Sequence, residues 1–362
     1  MTDRMMWLWL NNIEGIGNIK IRRLLEYFYS PEEIYREREE GLLQVPGITI
    51  KDVDKIKNSN TMNRTEKLYD ELMQKNINYV FPHESDYPSR LKELYDKPQI
   101  LYYIGKIPDN ITPAVAIIGS RKCTEYGKSV ANELGRIMGE NNVNVISGLA
   151  LGIDSEAHKG TLLSGGMTYG ILAGGVDKSY PMSNYNLYMD IQKQGGVVSE
   201  FPPGITTVPG MFPLRNRIVS GLSDMVIVVE AGEKSGSLIT VNHALEQNRT
   251  VYAIPGRFGD KMSYGCNRLI AEGAGIVTSY EELLNELGIE YVKKEKTQND
   301  NLILATGEKM LYSLLLDFVP CSLDTLLQHT KRPVGEVLTD LLGLELKGYI
   351  KEISKNFYVR IR

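Results

Sequence analysis

Short apolar runs alternate with amphipathic stretches through the middle of the chain. Residues 115–118 and 143–146 are apolar and rich in β-branched side chains, as buried strands are. Between them, residues 122–141 carry apolar side chains at helical spacing. Further apolar runs follow at residues 168–172, 196–199, 225–229, 250–254 and 275–278. This alternation predicts an α/β domain over residues 111–289, built on a Rossmann-like, doubly wound parallel sheet.

The segments on either side have other patterns. Residues 1–63 have helical spacing and are predicted to form a helical domain. Residues 64–110 combine one helix with two short strands, which predicts a connecting segment packed on the main domain. Residues 290–301 are polar and aperiodic and are predicted to be a linker. Residues 302–362 contain three helical patterns and a hairpin, the order of a winged helix-turn-helix domain.

The sequence Ile13-Glu14-Gly15-Ile16-Gly17 stands between two predicted helices. This pattern resembles a helix-hairpin-helix, in which the backbone amides of the turn can meet a phosphate. The alternative is that both glycines only permit a tight turn. Lysine and arginine are no more numerous than acidic residues in this region, so a strong independent DNA site is not indicated.

Charge and cysteine usage narrow the class of protein. A formal net charge of −4 argues against coating of duplex DNA by bulk charge, so any nucleic-acid site is a local patch. Cys123, Cys266 and Cys321 are far apart and the four histidines are scattered, so we expect reduced thiols and no zinc site. No apolar run approaches transmembrane length. These features predict a cytoplasmic protein that does not enter a membrane.

Small residues follow the strands of the predicted sheet, at Gly119, Ser147-Gly148, Gly174-Gly175, Gly232 and Gly256. In a parallel sheet these loops line one edge, where glycine admits close backbone approach and helix N-termini supply N–H groups for an anion. Arg121 lies two residues after Gly119, and its guanidinium can fork onto a phosphate. The sequence therefore predicts an anion-binding groove at the C-terminal edge of the sheet.

A second basic cluster, residues 212–217, opens a predicted helix. The helix dipole disfavours Arg215 and Arg217 in this first turn, so we expect each to interact with a negatively charged group. At helical spacing the two side chains face different ways, which suggests that one meets a ligand and the other a protein carboxylate. A structural ion pair for either arginine is the alternative.

Other loops offer weaker candidates. Residues 235–237 (Ser-Gly-Ser) open a helix after a strand and either present hydroxyl and N–H groups to a phosphate or simply cap that helix. Lys178 and Lys234 are further candidate cations, with plain solvation as the alternative. Phe212 and Tyr180 are candidate stacking partners for bases, although core or turn packing explains them as well.

Several common chemistries lack their motif. No GxGxxG follows a strand, and neither GxxxxGK[ST] nor GxSxG occurs, which argues against a dinucleotide site, a P-loop ATPase and a hydrolase. Asp154, Asp177, Glu200 and Glu230 stand at strand ends and could in principle hold a metal. Helix N-capping, predicted for Asp154, and pairing with the arginines are simpler roles. We therefore expect a binding protein without catalytic residues, metal or cofactor.

Five motifs in one order carry a resemblance to a known family. They occupy residues 118–121, 147–158, 174–184, 212–223 and 230–237. Over nearly its whole length the chain resembles the DNA-processing protein A family, DprA, also called Smf. The resemblance implies an extended Rossmann fold, a sterile-alpha-motif-like N-terminal domain and a winged-helix C-terminal domain.

The same resemblance implies a function that is not enzymatic. It implies binding of single-stranded DNA and loading of the RecA recombinase onto it during natural transformation, with displacement of single-strand-binding protein. Arg121 would hold a backbone phosphate. A homodimer is implied through about residues 265–277, near the expected RecA docking surface, with Asn267, Ile270 and Ile276 at the interface. The expected DNA-binding residues are Gly119, Ser120, Arg121, Ser147, Gly148, Lys178, Phe212, Arg215, Asn216, Arg217, Lys234, Ser235, Gly236 and Ser237.

One departure from the family and two other functions stay open. Residues 206–208 lack the basic residue that family members often carry there, and Lys178 or Lys234 is expected to compensate. A nucleotide-binding phosphoribohydrolase resembling the lysine-decarboxylase-like group shares this Rossmann variant, but Thr240 stands where those enzymes carry a catalytic glutamate. A duplex-DNA regulator would insert residues 334–347 into a groove, and this helix is acidic for that role. We therefore hypothesise a protein-binding or accessory role for the winged-helix domain.

Overall fold

The computed structural model describes residues 3–59, 62–291, 304–316 and 318–361. Most of the linker predicted at residues 290–301 lies outside the described residues. The chain divides into two compact units, residues 1–122 with 131–290 and residues 123–130 with 291–362. Within the described ranges, no helix has both the length and the apolar character needed to cross a membrane.

The N-terminal part of the first unit is helical, with α1 (Asp3–Asn11), α2 (Asn18–Phe28), α3 (Pro31–Arg36), α4 (Glu39–Leu42), α5 (Ile50–Asn58) and α6 (Asn63–Gln74). Trp9 of α1 and Ile56 of α5 are buried in one apolar cluster. α5 begins with a capping box, in which Asp52 N–H donates to the Thr49 hydroxyl and Thr49 N–H donates to the Asp52 carboxylate. Lys20 Nζ of α2 lies 2.6 Å from the same carboxylate, so Asp52 joins the two helices.

One sheet forms the main domain, with strands β1 (Asn78–Val80), β2 (Leu101–Gly105), β3 (Ala114–Ile118), β4 (Asn144–Ser147), β5 (Thr168–Ile171), β6 (Gly196–Ser199), β7 (Met225–Val228), β8 (Thr250–Ala253) and β9 (Gly275–Ile276). Their order is β1-β2-β6-β5-β4-β3-β7-β8-β9. Strands β3 to β9 pair in parallel, whereas β2 pairs antiparallel with both β6 and β1. The chain winds outward in both directions from β3, so the switch point lies between β3 and β7. The predicted doubly wound parallel sheet is confirmed.

The connections between the strands contain α7 (Ser89–Lys92), α8 (Glu125–Glu140), α9 (Ile153–Leu163), a 3-10 turn (Met182–Asn184), α10 (Tyr185–Gln194), α11 (Met211–Gly221), α12 (Ser237–Glu246), α13 (Tyr264–Ala271) and α14 (Tyr280–Glu286). Strand side chains such as Ala116, Ile146 and Val226 are fully buried. Continuous apolar runs are expected for strands that are covered on both faces, and these runs explain why the strands were recognisable in the sequence.

One detail of the helix starts differs from the prediction. Asp154 was predicted at the N-cap of a helix, and this is wrong, because α9 begins at Ile153 and Gly152 is the N-cap residue. The φ angle of Gly152 is +80°, which glycine adopts without strain. Asp154 therefore lies inside the first turn of α9, and its carboxylate reaches back to the loop after β4.

The second unit contains α15 (Thr306–Leu314), β10 (Cys321–Ser322), α16 (Leu323–Thr330), α17 (Val334–Leu346), β11 (Ile350–Ser354) and β12 (Phe357–Arg360). The three strands pair antiparallel in the order β10-β12-β11. Leu311, Leu326 and Leu341 are buried between the helices. Ser322 caps α16 by accepting a hydrogen bond from Thr325 N–H at 3.1 Å. The predicted winged-helix domain is confirmed, and the short strand β10 was not predicted.

Candidate nucleic-acid interface

A cavity of about 610 Å³ lies at the switch point between β3 and β7. Its walls come from the loops after β3 and β4, the first turns of α9 and α11, and the loop from β7 into α12. These segments meet because parallel strands end at the same edge of the sheet. Most of the predicted DNA-binding residues line this cavity: Gly119, Ser120, Arg121, Gly148, Phe212, Arg215, Asn216, Lys234, Ser235, Gly236 and Ser237.

The loop after β3 packs closely against the loop after β7. Ser120 N–H donates to Glu230 O at 2.7 Å. A Cβ atom added to Gly119 would lie 2.8 Å from the same oxygen and 2.7 Å from Ile153 Cγ1. Glycine is therefore required at position 119, and its backbone holds the nearby Arg121 at the mouth of the cavity.

Arg121 is exposed, and its guanidinium carbon lies 4.8 Å from the centre of the Phe212 ring. The Phe212 ring in turn lies 5.6 Å from the ring of Tyr180, centroid to centroid. Among the described residues, no carboxylate forms an ion pair with Arg121. Contact with an aromatic face orients the guanidinium without neutralising its charge. Arg121 can therefore accept an anionic ligand from the solvent side.

Arg215 lies deeper in the cavity wall and is 4% exposed. Its Nη1 donates to Gly148 O at 2.6 Å and to Ile171 O, and its Nε donates to Asn216 Oδ1 at 3.2 Å. Burial lowers the pKa of Arg215 to about 10, although nearby Asp154 raises it, so the side chain is charged at neutral pH. Arg215 thus contributes positive charge to the cavity while its donors hold the loop after β4 and the end of β5.

Asp154 is the carboxylate that faces Arg215. It accepts hydrogen bonds from Gly148 N–H at 3.0 Å and from Ala150 N–H at 3.4 Å. Burial raises the pKa of Asp154, and the charge of Arg215 and the two N–H donors oppose that rise. Behind it, burial and then the charge of Arg215 lower the pKa of His158 to about 3, so this imidazole is neutral at physiological pH. Asp154 thus holds the loop after β4, whereas the His158 ring bonds to the Thr168 hydroxyl of β5 at 2.6 Å.

Three predicted DNA-binding residues do not line the cavity. Ser147 is fully buried, and its hydroxyl donates to Ile117 O at 2.7 Å. Arg217 is buried between two carboxylates, with Nη2 2.6 Å from Glu200 and Nε 2.8 Å from Asp96. Arg217 therefore matches the expectation that one of the two arginines at the start of α11 meets a protein carboxylate.

Lys178, the third of these residues, contacts the loop after β6. Its Nζ donates to Gly204 O at 2.5 Å and to the Thr206 hydroxyl at 3.0 Å. Lys178 thus lies beside residues 206–208, the segment that lacks the basic residue often present in the family.

The loop from β7 into α12 presents polar groups to the cavity. Ser235 and Ser237 are joined through their hydroxyls at 2.8 Å, and Ser237 N–H approaches the Ser235 hydroxyl at 3.4 Å. Gly236 is the N-cap residue of α12 and has no side chain of its own to cap this helix. The positive end of the α12 dipole is therefore directed at the cavity, next to Lys234.

Four cations line the cavity, Arg121, Lys122, Arg215 and Lys234, and Asp154 is the only carboxylate among its described lining residues. Thr240, which stands in place of the glutamate of the phosphoribohydrolases, is a buried residue of α12 in the cavity wall. Nowhere in the described ranges do three or more His, Cys, Asp or Glu side chains come together as a metal site. The cavity is thus chemically suited to bind an anion.

Several lining residues were not predicted from the sequence. Lys122, Ile239 and Met262 also face the cavity. Lys122 directly follows Arg121 and could have been included on that ground. Ile239 and Met262 are apolar residues of a helix and of the loop after β8, and no motif marks them as lining residues.

The residues expected at a dimer interface differ in their surroundings. The Asn267 side chain is engaged within the chain, since it accepts from Gly256 N–H and donates to Gly256 O, both at 3.1 Å. Ile270 packs partly against the main core, whereas Ile276 is 46% exposed. Ile276 is therefore the most accessible of the three.

Two family models match the chain. One, described as DNA recombination-mediator protein A, matches residues 78–288, and the other, described as the DprA winged helix domain, matches residues 300–354. Protein Smf from Escherichia coli K12 is 33% identical over 100% of this chain and 97% of its own length. DNA processing protein DprA from Streptococcus pneumoniae R6 is 44% identical over 55% of this chain and 71% of its own length.

Solved structures show the same similarity. The X-ray structure of DNA processing protein A from Streptococcus pneumoniae superposes with a TM-score of 0.70 at 34% identity, covering 79% of this chain and 99% of that one. A structure of DNA processing protein A from Helicobacter pylori, which addresses the single-stranded DNA binding mode of that protein, superposes with a TM-score of 0.52 at 29% identity. It covers 58% of this chain and 95% of that one.

Proposed function

Because this chain belongs to the DNA recombination-mediator protein A family, we propose that it binds single-stranded DNA in the cavity at the switch point and loads RecA recombinase onto that strand in the cytoplasm during natural transformation. The observation that carries the binding step is the Arg121 guanidinium, which is exposed and lies over the Phe212 ring. Arg121 holds a backbone phosphate, and Phe212 offers an aromatic surface to the neighbouring nucleotide. The single-stranded DNA binding of the Helicobacter pylori relative supports this proposal.

The lining groups suit a single strand better than a duplex. A duplex stacks and pairs its bases internally, whereas a single strand presents phosphates and base faces together. Arg121, Lys122 and Lys234 supply cations for the phosphates, and the positive end of the α12 dipole at Ser237 adds a favourable field for an anion. Side chains that read base edges are few, with Asn216 as the clearest example. Binding is therefore expected to depend weakly on sequence and steeply on salt.

Fluorescence anisotropy of a labelled oligonucleotide, single-stranded and then duplex, tests the binding step over a salt series. Wild-type protein should prefer the single strand, and Arg121→Glu should weaken binding by roughly 10- to 100-fold at low salt. The salt dependence of log K should also become shallower by about 0.7 for each phosphate that the variant no longer neutralises. Arg36→Glu is the matched control, because Arg36 is exposed on α3 and does not line the cavity. Equal binding by wild type and Arg121→Glu would refute the assignment.

The loading step needs a surface for RecA as well as the DNA. We propose a homodimer through Asn267, Ile270 and Ile276, with RecA docking nearby. Ile276→Glu should shift sedimentation towards the monomer, whereas Ile111→Glu, which alters an isoleucine that is 91% exposed elsewhere, should not. RecA filament formation on DNA coated with single-strand-binding protein then tests loading. Wild type should accelerate it and Arg121→Glu should not; no acceleration by wild type would remove RecA loading from the proposal.

An accessory role for the winged-helix domain is consistent with its charge pairing. Arg332, just before α17, lies 3.2 Å from Glu336 and 2.7 Å from Asp340. Lys347, just after α17, lies 2.6 Å from Glu308. Two of the cations that flank the candidate recognition helix are thus already paired with carboxylates, and duplex phosphates would have to compete for them. Tight duplex binding that survives Arg121→Glu would refute this role.

A further inference from the structure

The loop after β8, residues 255–263, presents an aromatic side chain entirely to solvent. Phe258 has a relative exposure of 104%, higher than that of any other large apolar side chain in the described residues. Single exposed apolar residues are common on protein surfaces, so exposure alone decides nothing. The position of Phe258 and the charges around it decide what it does.

This loop is fixed beside the cavity. Ala231 N–H donates to Met262 O at 2.9 Å, and Gly265 N–H donates to Ala231 O at 2.7 Å. Met262 lines the cavity, and a Cβ atom added to Gly232 would lie 3.3 Å from Met262 Cε. Since β8 is the neighbour of β7, this loop extends the same edge of the sheet by about one strand spacing, roughly 4.8 Å.

The loop carries two cations close to Phe258 in sequence. Arg257 and Lys261 are both exposed, and Asp260 is the one acidic residue of the loop, so its net charge is positive. Asp260 N–H donates to Arg257 O at 3.2 Å, which closes a turn with Gly259 at a φ angle of +90°. The turn places Phe258 close to its tip. Surfaces that track a single strand combine cations for phosphates with aromatic rings for bases in this way.

We propose that Phe258 stacks on a base of the single strand where it leaves the cavity, and that Arg257 and Lys261 hold the adjoining phosphates. This proposal rests on the proposed function, because the strand must already occupy the cavity. It adds a stacking site outside the predicted set of DNA-binding residues. A surface of another protein chain is the other possible occupant of an exposed ring, and the two cations of the loop favour DNA.

The test uses the full chain and a series of single-stranded oligonucleotides, each with 2-aminopurine at one position. With wild type, the fluorescence should change most at one or two adjacent positions. Phe258→Ala should abolish that local change and weaken binding about 5- to 150-fold, the range for loss of one base–aromatic stack. Phe258→Trp should restore both readouts. Tyr29→Ala is the control, because Tyr29 is 83% exposed on the N-terminal helices and does not line the cavity.

The outcomes separate this proposal from the one on which it rests. If Arg121→Glu loses binding but Phe258→Ala matches wild type in affinity and local fluorescence, the stacking site is refuted and the cavity assignment stands. If Arg121→Glu and wild type bind alike, or wild type does not bind, the proposed function fails and the stacking site falls with it. If Phe258→Ala only lowers the oligomeric state in sedimentation and leaves the fluorescence pattern intact, Phe258 is a protein contact and the proposal is wrong.

Discussion

The guanidinium carbon of Arg121 lies 4.8 Å from the ring centre of Phe212, so the loop after β3 and the first turn of α11 meet at the mouth of the cavity. A cation–π contact at an exposed site contributes about 0.5–1 kcal/mol. It restricts the guanidinium to one orientation and leaves its charge available to a phosphate. The two residues therefore act as a unit in the proposed DNA site.

Removal of the Phe212 ring should weaken single-stranded DNA binding even though Arg121 remains. Phe212→Ala removes both the cation–π contact and the aromatic surface, so we expect binding to become weaker by about 1–3 kcal/mol. Phe212→Tyr keeps a ring and should bind nearly as wild type. In a double-mutant cycle with Arg121→Ala, the coupling should be about 0.5–1 kcal/mol. Anisotropy titrations measure all three, and strictly additive effects would contradict the coupling.

Gly148→Ala should disturb the cavity by displacing Arg215 in its wall. A Cβ atom at Gly148 would lie 2.5–2.7 Å from the guanidinium of Arg215, which is buried and bonded to Gly148 O and Ile171 O. The guanidinium has to move, which should cost about 1–3 kcal/mol of stability and weaken DNA binding. Gly335→Ala is the matched control, because a Cβ atom there meets nothing within 4 Å and this residue of α17 does not line the cavity. Thermal melting and anisotropy report the two effects, and equal behaviour of both variants would contradict the prediction.

The location of the cavity could be predicted from the sequence because ligand sites in parallel sheets lie at the carboxyl ends of the strands. Apolar runs marked the parallel strands, and small residues after them marked the loops at one edge of the sheet. Arg121 and Phe212 were both recognisable as candidates. Their contact was not predictable, because it depends on how the loop after β3 packs against the first turn of α11, which lies far away in the chain.

The difference between the two arginines of α11 could be predicted only in part. Helical spacing indicated that Arg215 and Arg217 face different ways, but not which one meets the ligand. Arg217 reaches Glu200 and Asp96, which are distant in sequence. Arg215 donates to backbone carbonyls, which every residue possesses and which therefore leave no signature in a sequence. The role of Lys178 at Gly204 O was hidden for the same reason.

The ion pair between Arg217 and Glu200 should matter for stability and not for binding. Glu200→Ala leaves a buried guanidinium without its nearer carboxylate at 2.6 Å, which should cost about 3–5 kcal/mol. Asp96 is the other partner of Arg217, and the Asp96 side chain is 43% exposed. Asp96→Ala should therefore lower the free energy of unfolding by only about 0–1 kcal/mol. Urea unfolding measures both. Neither residue lines the cavity, so the folded variants should keep the DNA affinity of wild type, and equal costs for the two would contradict this account.

The Asp52 carboxylate should make the stability of the N-terminal helices depend on pH. Burial raises its pKa, but hydrogen bonds from Lys20 and Thr49 outweigh this effect and lower the pKa to about 2, from an ordinary value of 3.8. A carboxyl group whose pKa is lower in the folded state stabilises that state above pH 4. This contribution, about 2 kcal/mol, should disappear as the pH falls from 4 towards 2. Urea unfolding of wild type and Asp52→Asn from pH 7 to pH 2.5 measures the difference between them.

That difference should be largest at neutral pH and should shrink as the acid protonates, because a neutral Asp52 resembles asparagine. Asp54→Asn is the matched control, since Asp54 lies on the same helix with an exposed side chain. It should leave the pH dependence of wild type intact. A gap between wild type and Asp52→Asn that stays constant down to pH 2.5 would show that the Asp52 charge does not stabilise the fold, and the capping box and the Lys20 contact would then act through geometry alone.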